Sequence, residues 1–404
     1  MPQRSVPAEK VDWSSVSHAY GPAVEIPALL RAVRSDIQEV RQGAYGDLVD
    51  LLVHQGSRFE ASAAVAPYLI NIVADPAAPD RFAACQVLAA IAVGDESSWL
   101  SDRPDPSDMR AEAQRRASLS REELEAEHRD WMAAAPNEEE RSARERRAEW
   151  GDVEADRDEQ RWTIEAYDAV RVGVPVYVAA LEASEAAVRL YAAHLLAWFP
   201  EEEGLVGPVL AGLIRREPDP VVAAAACVAA SLGCPHGGEA LIDALSNRRG
   251  SVNRAERWSA VLGLSRILSH PDRSLVRELY ECLFGATEPV PYWPFLEGDM
   301  AGMAALTIAE LTPGVAGDRI DVLAERAASA DHTADAFTLL TALLDAAFPD
   351  GPIPDGVGFT DLTPTRQRAL WTVLSSGVMS AAPRLLSRYN LPDSEQQLRT
   401  WCRA

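Results

Sequence analysis

The chain has 404 residues, 48% of them hydrophobic, and a formal net charge of −23. That is enough apolar material for a substantial core, spread over two or three domains or one elongated array. The acidic excess argues against a protein that grips phosphate backbones, because most of its surface repels them, and it favours basic partners.

In chain order, residues 1–21 read as an N-terminal tail without the apolar core of a secretion signal. Residues 22–93 carry two helical pairs. "EIPALLRAV" precedes "DIQEVRQGAYGDLVDLL", and "AVAPYLINIVA" precedes "DRFAACQVLAAIA". A charged insertion follows over 94–164. There Ser120 and Glu123 form a capping box that predicts a helix through Met132, and a second helix is expected after Pro136. Four of the ten tryptophans, Trp99, Trp131, Trp150 and Trp162, fall in this insertion. Charge alone would leave it solvated, but buried tryptophan area predicts that it docks. Pairs resume over 165–350, with "PVYVAALEA" before "SEAAVRLYAAHLLAWF" and "EALIDALS" before "ERWSAVLGLSRIL". The glycine- and proline-rich "FPDGPIPDGVG" opens a linker and helical cap over 351–404. The longest apolar run, Val221 to Cys234, is shorter than the roughly 20 residues a membrane helix needs. Five cysteines form an odd, sparse set unlike a disulfide framework, which points to a reduced, cytoplasmic setting.

The pairs resemble one another. Val40, Arg41, Ala44 and Leu48 match Val188, Arg189, Ala192 and Leu196, and weaker copies place Arg81 with Ala84 and Arg257 with Ala260. Almost nothing alternates with the period of two that a strand requires, so the expected class is all-α. No pair can bury both its faces alone, so successive pairs must stack.

Asp-x-x-x-Val-Arg-x-x-Ala at the start of the second helix resembles a HEAT repeat, including the HEAT-like repeats named after phycobilisome lyases. The resemblance covers about residues 22–93 and 165–350. The first stretch, through "VHQGSRFEAS", is similar to a group of bacterial HEAT-repeat proteins, commonly actinobacterial, in which a His-Gln-Gly corner and a Glu-Ala pair join two repeats. "DLTPTRQRALWTVLSS" resembles their closing segment, but "GVMSAAP" stands where they carry an aromatic-Gly-Asn turn. The resemblance implies a right-handed α-α superhelix of about six to eight pairs. It implies no chemistry.

"VHQGSRFEAS" admits two readings. As chemistry, His54 is a general base oriented by Glu60, with Arg58 binding an anion. As structure, Gly56 ends one helix in a left-handed turn, and His54 and Glu60 complement two helix dipoles. The stretch lies at a repeat boundary, which favours the second. Cys227, Cys234 and His236 offer thiolates and an imidazole, yet their spacing does not suit zinc, so neither metal nor cofactor is expected. Glu138–Glu140 and Glu201–Glu203 read as solvated faces and helix first turns. Arg41, Arg81, Arg189 and Arg257 recur at one repeat position and are expected to ladder between repeats against carboxylates such as Asp36, Asp47, Asp80 and Glu185.

Aromatics beside carboxylates are the composition of a partner-binding groove. Trp198, Trp258, Tyr292, Trp293 and Phe295 are the candidates on the array, joined by Trp131 and Trp150 in the insertion. The expected function is non-enzymatic: a monomeric scaffold or adaptor that binds a protein or peptide in its concavity, serving a biosynthetic enzyme or neutralising a toxin. Binding to nucleic acid or membrane is not expected. The alternative is an enzyme like the tetrapyrrole lyases or alkylpurine DNA glycosylases that share HEAT-like arrays. The acidic charge and the lack of a catalytic constellation oppose it.

Overall fold

The computed structural model describes residues 11–102, 104–135, 141–142, 144–145, 152–329, 333–354, 356–376, 383–392 and 394–403. Among these the protein is all-α apart from two two-stranded hairpins, with 21 α-helices. No described helix is long and apolar enough to cross a membrane. The chain divides into two compact units, Met1–Leu213 with Leu232–Cys234, and Ile214–Ser231 with Pro235–Ala404.

In the first unit, β1 (Ser17–His18) pairs antiparallel with β2 (Gly21–Pro22), and α1 (Ile26–Ala32) and α2 (Gln38–Leu52) follow. The expected tail over 1–21 is therefore packed in its described part, and Trp13 is buried. The corner reading of "VHQGSR" needs correction. Helix α2 stops at Leu52, and β3 (Val53–His54) turns back on β4 (Ser57–Arg58). Gln55 and Gly56 both have positive φ, 50° and 85°. Two left-handed residues between paired strands make the hairpin turn whose twist suits the strands, so Gly56 serves a hairpin rather than a helix cap.

Next come α3 (Glu60–Ala74) and α4 (Arg81–Val93), whose inward faces are small or branched apolar residues. The buried Ser62 hydroxyl accepts the Phe59 N–H and donates to the Leu52 carbonyl, tying the start of α3 to the end of α2. Two thin helices, α6 (Pro106–Ala117) and α7 (Arg121–Ala133), come after the short α5 (Glu96–Asp102). Ser120 and Glu123 cap α7 reciprocally, as the sequence predicts. Helix α8 (Val153–Arg171) runs without a break across residue 164. The expected boundary between insertion and array thus falls inside one helix, which packs on both α3 and α4. Helices α9 (Val174–Ala180) and α10 (Ala186–Leu196) complete the layer, with α2, α4 and α10 packed in a row and α3 against α9.

α11 (Glu203–Arg216) and α12 (Pro220–Gly233) each have residues in both units. The second unit continues with α13 (Glu239–Arg249), α14 (Arg254–Ile267), α15 (Arg273–Gly285), α16 (Met300–Glu310), α17 (Arg319–Ala328) and α18 (Thr333–Ala347). Again the second helices pack on one another, α14 on α16 and α16 on α18. The cap comprises α19 (Pro364–Ser375), α20 (Pro383–Ser387) and α21 (Glu395–Trp401). Ile353, ahead of it in the chain, is buried, and its N–H donates to the Tyr389 carbonyl.

Candidate functional site

The repeated arginines close turns. Arg41, Arg189 and Arg257 each donate to the carbonyl six residues back, of Ser35, Ala183 and Ser251. Buried Arg81 donates to the Val73 carbonyl through Nε and Nη2, at 3.0 and 2.8 Å. Arg41 also reaches forward, its Nε 2.6 Å from Asp80 at the start of α4. Of the carboxylates named as partners, Asp80 pairs with Arg41, and all four arginines contact backbone carbonyls. A fork of donors on helix-end carbonyls answers groups the helix itself leaves unpaired.

The cluster around "VHQGSRFEAS" does not assemble into a base and its orienter. Exposed His54 meets the Tyr20 hydroxyl through Nδ1 at 3.2 Å, and Glu60 accepts the Ser17 N–H at 3.4 Å. Arg58 is buried and donates to the Gly56 and Val93 carbonyls, and burial pulls its guanidinium down to about 10 against the pull of Glu159 and Asp95. A Cβ at Gly94, where φ is 67°, would lie 2.0 Å from an Arg58 nitrogen, so only glycine admits this contact.

The aromatic candidates separate sharply. Trp198, Trp258, Trp293 and Phe295 are 3%, 9%, 2% and 0% exposed. Rings this deep fill the space between helices and offer no face to a partner, which corrects the expected groove lined by them. Trp198 stands edge-on to His194 and Trp99, and Trp293 to Phe295. Trp131 is half-exposed, with the Arg144 guanidinium 4.6 Å from its ring centre. Trp150 lies outside the described residues.

Tyr292 is 84% exposed. It occupies a loop between α15 and α16 with a left-handed φ of 65°, directly after Pro291 and two residues before Pro294. Leu296, Glu297 and Gly298 are also left-handed, and the Val290 N–H closes the loop on the Gly298 carbonyl at 3.0 Å. Gly298 is required, since a Cβ there would meet the Val290 carbonyl at 2.7 Å. Several strained residues in a row persist only when their surroundings hold them. Here buried Trp293 and Phe295 are the anchor and Tyr292 is what the loop displays.

A further cluster escaped the sequence reading. Arg110 of α6 forks onto Asp168 of α8, with Nε 3.1 and 3.0 Å from the two carboxylate oxygens and Nη2 2.6 Å from Oδ1. The same Nη2 is 2.7 Å from Glu201. Tyr167 donates within 2.5 Å of Glu201, stacks on Trp99, and has the Arg110 guanidinium 5.7 Å from its ring centre. Arg171 reaches Glu202 at 2.7 Å, and buried His194 meets Glu96 at 2.8 Å. Glu201 and Glu202 are therefore engaged partners rather than a solvated face. Ninety-one residues separate Arg110 from Glu201, so no local pattern links them. Only the acidic run after Trp198 marks the place.

Cys227 and Cys234 are buried thiols, and burial pushes both up to about 12, which keeps them protonated. The described residues hold no group of three or more His, Cys, Asp or Glu side chains able to share a metal ion. Among known proteins, no family model and no curated protein matches the chain.

Arg34, Arg215, Arg248 and Arg249 each have a partner within the protein. Arg34 pairs with Asp75, and Arg215 donates to the Ala240 carbonyl. Arg248 spans the Ile214 and Glu217 carbonyls and Glu256, while Arg249 pairs with Glu278.

Proposed function

We propose that this is a non-enzymatic binding protein, a HEAT-like solenoid that presents rigid surface to a protein or peptide partner. Stacked second helices within each unit and arginines closing the turns at one repeat position support the solenoid reading. The observation that carries the binding reading is Tyr292, an aromatic side chain held out by a strained loop with its own buried anchor. A large, rigid ring that loses little entropy on contact is the kind of residue that dominates protein interfaces. Engagement of Arg34, Arg215 and Arg249 by carboxylates and a carbonyl, together with the charge of −23, weighs against phosphate backbones as ligands.

Tyr292→Gly tests the reading, because glycine suits the left-handed backbone and should leave stability equal or slightly higher. Affinity-tagged wild type, expressed in its native cells, should retain a stoichiometric partner that the variant retains at least ~10-fold less. Absence of any stoichiometric partner, or equal retention by the variant, overturns the proposal.

A further inference from the structure

The cradle that receives Arg110 has the features of a recognition site for a guanidinium. Asp168 and Glu201 supply carboxylate oxygens on two sides, the Tyr167 hydroxyl holds Glu201 in place, and the Tyr167 ring lies beneath the planar cation. Bidentate carboxylate pairing plus an aromatic face distinguishes arginine from lysine. Arg110 keeps only 25% of its side chain exposed in this seat.

The element that brings Arg110 there is weakly fastened. Helix α6 buries only Pro106 and Ala113, and α7 only Leu124. Arg115 of α6 joins Glu127 of α7, and Arg121 pairs with Glu154 at the start of α8. The carboxylates and the ring of the cradle belong instead to α8 and to the turn before α11, with Tyr167 fully buried. Segments with few buried apolar contacts open at low cost, whereas well-packed helices do not.

We propose that Arg110 is an internal stand-in for an arginine of a basic peptide segment on the partner, and that the α6–α7 hairpin swings away to admit it. The acidic chain draws such a segment, and the cradle selects its guanidinium over an ammonium. This deepens the proposed binding function with residues other than Tyr292, so either can fail alone.

The test uses the full chain with an octa-arginine peptide, and octalysine as the equal-charge control. Arg110→Ser vacates the seat, and octa-arginine should bind it at least ~10-fold tighter than it binds wild type, because no internal competitor remains. Octalysine should bind both alike, and adding Asp168→Asn and Glu201→Gln should remove the gain. Wild type supplies a readout independent of folding of the variants. Saturating octa-arginine should speed hydrogen exchange in α6 and α7 while leaving α3 and α4 unchanged. The proposal is overturned if Arg110→Ser brings no gain, if octalysine gains equally, or if α6–α7 exchange is unmoved at saturation.

Discussion

Helix α4 and the α6–α7 hairpin belong to the same unit and are attached to it by opposite means. Of its thirteen residues, α4 buries nine, among them Cys85, Leu88 and Ile91 with no exposure at all. The α6–α7 hairpin has arginines and carboxylates where α4 has alanine and leucine, and it buries three residues. Apolar burial scales with area and is not screened by salt, whereas half-exposed ion pairs are worth little each and are screened. One attachment therefore defines the fold, and the other positions an element that can leave it.

The contrast can be broken most forcefully in the core. Leu88→Ala should lower the unfolding free energy by about 3 kcal/mol, the lost transfer energy plus that of the cavity, as measured by urea denaturation. A loss under about 1 kcal/mol would mean that α4 is not packed as described.

An intermediate effect is expected where a cation meets backbone. Arg189 donates to the Ala183 and Ser184 carbonyls at 2.8 and 2.9 Å, so Arg189→Ala should cost about 1 kcal/mol, visible as a lower Tm. An unchanged Tm would show that closing the turn adds nothing.

Acid should act on the hairpin first and least on the whole. Hydrogen bonds from Arg115 hold the Glu112 and Glu127 carboxyls below their ordinary value of 4.5. A depressed folded value contributes stability that is present above the unfolded value and lost as pH falls through the folded one. Lowering the pH from about 6 to about 3 should therefore reduce hydrogen-exchange protection, measured against the intrinsic rate at each pH, in α6 and α7 before it does so in α4. Simultaneous loss of protection in both would erase the distinction between the two attachments.

Helical periodicity, the Val-Arg unit and the Ser120–Glu123 capping box are local patterns, so the sequence by itself determined that the protein is built of paired helices and where most begin. It also marked Tyr292, though without distinguishing it from Trp293 and Phe295 beside it. Of the three only Tyr292 has a left-handed φ, and alternating proline and aromatic residues do not reveal one. The hairpin at Val53–Arg58 was missed because its strands are two residues long, too short for any period to appear. The tertiary structure alone decided that Arg110, Asp168 and Glu201 meet. Their separation along the chain leaves no spacing to read, and the packing of α8 on α3 and α4 sets where the cradle lies.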